Sequence, residues 1–410
     1  MSLLFLTALY SLWVSTPKMF TFSKSIKTFH PMDIISLIAA VNALLIAIII
    51  FLKRQKSISD YLLMIWVINF VFQFGIPFLL ERNILLHESI WGAILGGVMV
   101  LHAPFIFVYT NSLTDPGFKI NFKNLYHFGV IFIFIAALVP YLLLDQDARL
   151  LQVENQQDLS MYMMLPLLTL LLVQVYFLIR TIIVLINHQN NIKNAFSYEK
   201  EINLSWIKRI VIALFGIIIL NFIGLALVSA HIISVYLLDY VMILLNIVIF
   251  FYLAYSSYKQ RVIYNNDVDT GQKNIIQTKS SKIKETSRQS INTEQDEKDP
   301  IIQKLKLLMD TNKPYLEPEL NIGNIANELH IHSHQLSKII NSKLGVNFFE
   351  FINEYRVNEF KSLAANPKNK HISILGLAMD AGFNSKATFN RIFKKTTGLT
   401  PSEFRENYKF

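Results

Sequence analysis

The sequence predicts an all-α chain in two parts: seven transmembrane helices, then a soluble domain of two helix-turn-helix units joined by a connecting helix. Three observations predict it. Apolar residues crowd the chain before Tyr258, while nearly all the long charged stretches follow it. Seven of the apolar stretches reach or approach the ~20 residues that a helix needs to cross a bilayer. Near the C-terminus, one order of apolar, basic and turn residues occurs twice at a constant offset of 53 residues, Leu336 matching Phe389.

A chain of 410 residues ordinarily holds two or three domains. With 53% hydrophobic residues it is too apolar for an ordinary soluble protein. A formal net charge of +9 fits either nucleic-acid binding or basic loops at a cytoplasmic membrane face. There are no cysteines, which excludes disulfides, thiolate metal sites and cysteine nucleophiles.

Residues 1–31 carry an apolar run too short to span a bilayer, with no Lys or Arg ahead of it as a signal peptide requires. Met32 is a natural alternative start, and no function is placed on this segment. The seven stretches follow at 34–52, 61–80, 90–113, 125–144, 161–186, 207–230 and 233–255, together forming a domain over residues 32–258. The fifth is long enough to tilt or to extend past the bilayer. Tyr61, Trp66, Trp91, Tyr109, Trp206 and Tyr255 lie near stretch ends, where interfacial aromatics sit. Basic residues cluster in alternate loops: Lys53, Arg54 and Lys56; Lys119 and Lys123; Lys193 and Lys200; Lys259 and Arg261. The intervening loops are poor in base, so the N-terminus is expected outside and the C-terminus in the cytoplasm. Residues 259–299, rich in Asn, Gln, Ser, Thr and Lys, read as a flexible linker. The soluble domain occupies residues 300–410.

Residues 374–404, ILGLAMDAGFNSKATFNRIFKKTTGLTPSEF, read as two short helices across a tight turn and the start of a third. Ile374, Leu377, Ala378 and Ala381 form an apolar stripe at helical spacing. Gly382 follows, where a sharp turn needs the positive φ that glycine adopts cheaply. Ser385 suits an N-cap, and Phe389, Ile392 and Phe393 form the next stripe. Lys386, Ala387, Asn390, Arg391 and Lys394 fall off that stripe and face outward. Thr400, Pro401 and Glu403 make a capping box with proline at the first helical position. Upstream, Leu336, Ile339, Ile340, Gly345, Glu350 and Phe351 match Phe389, Ile392, Phe393, Gly398, Glu403 and Phe404, and Lys338 matches Arg391. Asn347 and Glu350 repeat the capping box in its Asn form. A helix over 348–364 joins the two units.

These residues resemble the AraC/XylS family of transcription regulators. GFNSKATFNRIFKKTTGLTPSEFR is similar to that family's C-terminal signature, and FFEFINEYRVNEFKSLA to its connecting helix. The sequence Leu-His-Ala-Pro at 101–104 and Tyr109 resemble the third span of membrane-anchored members. The resemblance implies base-facing roles for His334, Ser337 and Lys338 in the first unit and for Lys386, Ala387 and Arg391 in the second. Arginine and lysine can address guanine O6 and N7 in the major groove. Lys343, Lys394 and Lys395 are placed to neutralise phosphates. A solvated charged face, or a motif used for protein contacts, is the alternative. Two residues depart from the family pattern: His330 stands where the second unit has Gly382, and Phe360 stands where a small residue is usual.

Arg356, in the connecting helix with Glu354 and Glu359 nearby, is expected to form a buried or half-buried ion pair that fixes the units relative to each other, with direct DNA contact as the alternative. His330, His332 and His334 form H-x-H-x-H, but they straddle a turn without a nearby cysteine or an evident fourth ligand, so no metal and no cofactor is expected. Among the polar residues in the spans, His102 and Asp239 are ionisable, which marks them as candidate sensor residues. Hydrogen bonds that hold helices together are the alternative role. Expected partners are double-stranded promoter DNA, the lipid bilayer, an unidentified signal ligand or membrane partner, and a second copy of the chain. The function expected is a membrane-bound, non-enzymatic regulator of transcription. A transporter or membrane enzyme with an accessory DNA-binding module is the alternative, as is a regulator released by proteolysis in the linker. No H-E-x-x-H and no phosphate-cradling glycine loop supports an enzyme.

Overall fold

The computed structural model describes residues 31–81, 97–115, 117–143, 161–199, 202–260 and 300–407. Residues 1–30, and most of the expected linker at 261–299, lie outside the described residues. Regular structure among the described residues is helical, apart from one antiparallel bridge between Phe196 and Asn321. The chain divides into two compact units, one within Met1–Leu185 and Leu204–Gln260, the other within Ile186–Asn203 and Arg261–Phe410.

In the first unit, α1 (Pro31–Leu52) packs along α2 (Ile58–Glu81). Its buried face is made of small residues, Ala39, Ala40, Ala43 and Ala47, at helical spacing. Gly75 of α2 faces this stripe, and a Cβ there would lie 3.9 Å from that of Ala40. Small residues let two backbones approach closely. Large apolar residues point the other way: Ile38, Val41, Leu45 and Ile49 are all exposed. A helix with small residues inside and large apolar ones outside is the reverse of a water-facing helix.

The unit continues with α3 (His102–Thr114), the short α4 (Phe122–Leu125), α5 (Val130–Leu142), α6 (Met161–Ala195), α7 (Ser205–Ser229) and α8 (Val235–Lys259). Ser234 caps α8 by accepting from the Leu237 N–H. Six helices among the described residues are long and apolar enough to cross a membrane. The stretch expected at 90–113 is described only from residue 97, and its helix starts at His102, so it is not among the six. Trp66 and Tyr109, expected at the membrane interface, are instead buried. The Trp66 indole donates to His102 Nδ1 at 3.0 Å, and Phe70 packs on the same imidazole with centroids 4.5 Å apart. Trp206 is buried as well, so position near the end of an apolar stretch misplaced these three aromatics, whereas Tyr61 and Tyr255 are exposed and Trp91 lies outside the described residues.

The second unit gathers the last turns of α6 with α9 (Pro300–Asn312), α10 (Ile322–Glu328), α11 (Ser333–Lys343), α12 (Phe348–Ala365), α13 (Ile374–Asp380), α14 (Lys386–Thr397) and α15 (Pro401–Glu406). The connecting helix α12 feeds two cores. Phe348, Phe351 and Ile352 join Leu305, Ile325, Leu336 and Ile340 in one. Phe349, Val357 and Phe360 join Leu377, Phe389 and Phe393 in the other. Phe360 fills its place with aromatic partners, lying 4.7 Å from Phe389 and 5.2 Å from Phe393 between ring centroids. Burying a phenylalanine contributes about 1.5–3 kcal/mol relative to leaving it in water. Ile192, from the last turn of α6, and Phe196 and Ile202, from the connection between α6 and α7, complete the first core.

Candidate nucleic-acid interface

Two helix pairs, α10–α11 and α13–α14, are built alike. In the first, His330 turns the chain at φ +55° and Ile331 donates back to the Ala326 carbonyl at 2.9 Å. In the second, Gly382 turns it at φ +91° and Phe383 donates to Ala378 at 3.0 Å. The two turns correspond at an offset of 52 residues and the helices after them at 53, because the second turn holds one more residue before its N-cap Ser385. Ser385 accepts from the Thr388 N–H, whereas His332, capping α11, makes no side-chain cap bond. Downstream, α14 closes on Gly398 at φ +76°. Thr400 and Glu403 form the reciprocal capping box, with Pro401 at the first position. The Glu403 carboxyl is held below its usual range by the Thr400 backbone N–H. A left-handed histidine carries strain that glycine lacks. His330→Gly is expected to slow hydrogen exchange across α10–α11, by a few tenths to about 1 kcal/mol of local stability. Faster exchange would show that His330 is not strained.

Gly382 has a second reason to be glycine. A Cβ there would run into the Tyr315 carbonyl oxygen, and would lie 2.9 Å from Leu316 Cα and 3.1 Å from Arg356 Nε. Arg356 is buried, but not in the expected ion pair. Its Nε donates to the Tyr315 carbonyl at 2.7 Å and its Nη2 to the Glu317 carbonyl at 2.7 Å. Nη1 donates to the Ser197 carbonyl at 3.1 Å and Nη2 to Ser197 Oγ at 3.0 Å. Burial pushes the guanidinium down to about 10, opposed by the Glu317 carboxylate, so it stays cationic at neutral pH. Glu359 turns instead to Lys313 and the Tyr315 hydroxyl, each at 3.0 Å.

The buried stripes of α11 and α14 leave one polar face on each. His334 and Lys338 are exposed on the first and Ser337 is half-buried; Lys386, Ala387 and Arg391 are exposed on the second. Lys343, Lys394 and Lys395 are exposed beyond them. Two of these basic groups are engaged by carboxylates. Lys395 bonds Glu350 at 2.9 Å, and that hydrogen bond holds the Glu350 carboxyl below its ordinary range. Arg391 bonds Glu199 at 2.9 Å. His330, His332 and His334 are all exposed around the first turn. In the first unit, His102 is fixed by Trp66, and Asp239 is half-buried near the start of α8. Sequence reasoning missed Ser197 and Glu199 altogether. The one cue was an aromatic pair, Phe196 and Tyr198, in an otherwise polar connection.

Comparison with known proteins falls on this same region. A family model described as a helix-turn-helix domain matches residues 325–407. A probable transcription factor of Proteus vulgaris, PqrA, is 38% identical over 88 residues, which is 22% of this chain and 70% of that protein. An uncharacterised HTH-type transcriptional regulator of Bacillus subtilis, YfiF, is 32% identical over 24% of this chain and 30% of its own length. The arabinose operon regulatory protein of Escherichia coli is 27% identical over 22% of this chain and 30% of its own. The C-terminal region is an AraC-type helix-turn-helix domain, and the chain belongs to the transcription regulators of that family. Regulators of this family are not enzymes.

Proposed function

We propose that the chain is a membrane-embedded one-component regulator whose two helix-turn-helix units read promoter DNA in the cytoplasm. The observation that carries this is the repeated helix pair, with matched turns and exposed basic faces on α11 and α14. His334, Ser337, Lys338, Lys386, Ala387 and Arg391 read base edges in this proposal, while Lys343, Lys394 and Lys395 bind phosphates. Seven spans, N-terminus outside, hold the domain at the bilayer; the outward large apolar residues of α1 and the basic loops support that placement. The spans carry the signal. Asn69, His102 and Asn221 each leave a polar atom buried without a partner among the described residues, which a small polar ligand would satisfy. The ligand and the number of copies in the working assembly belong to the same proposal. Release by proteolysis is disfavoured, because a cut in 261–299 would leave residues 300–410 still packed on Phe196 and bonded to Ser197.

The test is a gel shift with the full chain in detergent and duplex DNA from upstream of its own gene. Binding is expected at low salt, falling steeply as salt rises. No shift with any such fragment would sink the reading. Arg391→Ala is expected to relax preference at one base pair, at about 1–3 kcal/mol, while Lys394→Ala weakens all sequences alike. Equal losses on specific and random DNA for both variants would remove the base-reading assignment.

A further inference from the structure

We propose that residues 194–199 are a built-in competitor for the DNA-reading face, holding the recognition helices blocked until the segment is displaced. This rests on DNA reading by α11 and α14. The segment is anchored at its centre and reaches both helices from its flanks. Phe196 is buried in the first core and bridges Asn321. The Ser197 N–H and Oγ both donate to the Leu320 carbonyl, at 3.1 and 2.7 Å. Its carbonyl accepts from Asn353 Nδ2 at 3.2 Å and from Arg356. On one flank, Asn194 Oδ1 accepts from Asn341 Nδ2 of α11 at 3.4 Å. On the other, the Glu199 carboxylate takes the Nη2 of Arg391 on α14.

Glu199 is not a solvated surface acid. Its side chain is 13% exposed, and its second oxygen is buried with no hydrogen-bond partner among the described residues. Desolvating a carboxylate in this way is costly for fold stability, and what it obtains is the arginine assigned to base reading. The Glu199 oxygen takes the Arg391 Nη2 that guanine O6 or N7 would otherwise accept from. Arg391 Nη2 cannot serve both. The segment is the connection between α6 and α7, so a change in those two apolar helices acts on it directly.

The experiment measures binding of the full chain in detergent to duplex DNA from upstream of its own gene, with random duplex as control. Wild type, Glu199→Gln, Arg391→Ala and the double variant are compared. Glu199→Gln is expected to tighten specific binding by roughly fivefold, the scale of one close charge pair. That gain should vanish in the Arg391→Ala background, because the pair is then already broken. Unchanged binding by Glu199→Gln overturns the proposal, and so does a gain that persists without Arg391. As the chain has no native cysteine, Asn194→Cys/Asn341→Cys joined by a short bis-maleimide should lose specific binding. Binding by the joined form, or failure of the pair to join, likewise overturns it. If no variant binds any duplex, DNA reading itself fails, and the blocking role falls with it.

Discussion

Gly382→Ala is expected to destabilise the second helix pair by roughly 3 kcal/mol, combining the ~1–2 kcal/mol of a left-handed alanine with a steric term of similar size. The steric term is severe because the obstacles are backbone. The added methyl meets the Tyr315 carbonyl oxygen and Leu316 Cα, and neither can rotate aside. The Tyr315 carbonyl cannot retreat either without leaving the Nε of Arg356, which it holds at 2.7 Å. Hydrogen exchange of α13 and α14 in the full chain reads the effect directly, since global unfolding of a chain of two compact units is not a two-state measurement. Protection equal to wild type would show that the turn relaxes into free space. The first pair provides the contrast: its His330 already occupies the left-handed region, so only the second turn demands a missing side chain as well as a positive φ.

What was legible in the sequence is what local chemistry decides. Ser385, Thr400 and Glu403 cap helices because their side chains reach backbone N–H groups three residues away, and Pro401 fits the first helical position because its fixed φ suits a helix start. Phe389, Ile392 and Phe393 are buried because helical spacing places them on one face. Partners far apart in sequence were not legible. Arg356 was expected to find an acid on its own helix, yet its acceptors lie 39, 41 and 159 residues away. Spacing shows which face a residue occupies but not what the rest of the chain brings to it. Trp66 illustrates the same limit, since an end position suggested the interface and a histidine 36 residues on drew it inside. The carboxylate on Arg391 is 192 residues distant, beyond any motif.

Arg356→Met is expected to cost the C-terminal unit roughly 3–5 kcal/mol, and the sign follows from weighing two opposed effects. Burying the guanidinium is itself unfavourable: it lowers the pKa to about 10, a penalty on the order of 3 kcal/mol that methionine would relieve. Against this, methionine leaves the carbonyls of Tyr315, Glu317 and Ser197 without their charged donor, at about 2–3 kcal/mol each when buried. The lost bonds outweigh the relieved penalty. Lysine should not rescue, because one ammonium lacks the planar fork that reaches two separated segments at once. The loss should be visible in two places, since the same guanidinium holds the turn before α10 and Ser197 of the competing segment. Hydrogen exchange should therefore rise over residues 194–199 as well as around Tyr315 in Arg356→Met, whereas Ser197→Ala, which removes the hydroxyl and keeps the carbonyl, should loosen the segment alone. Equal exchange in both regions for wild type and Arg356→Met would mean that water replaces the guanidinium, and that the segment is held by Phe196 and Asn353 without it.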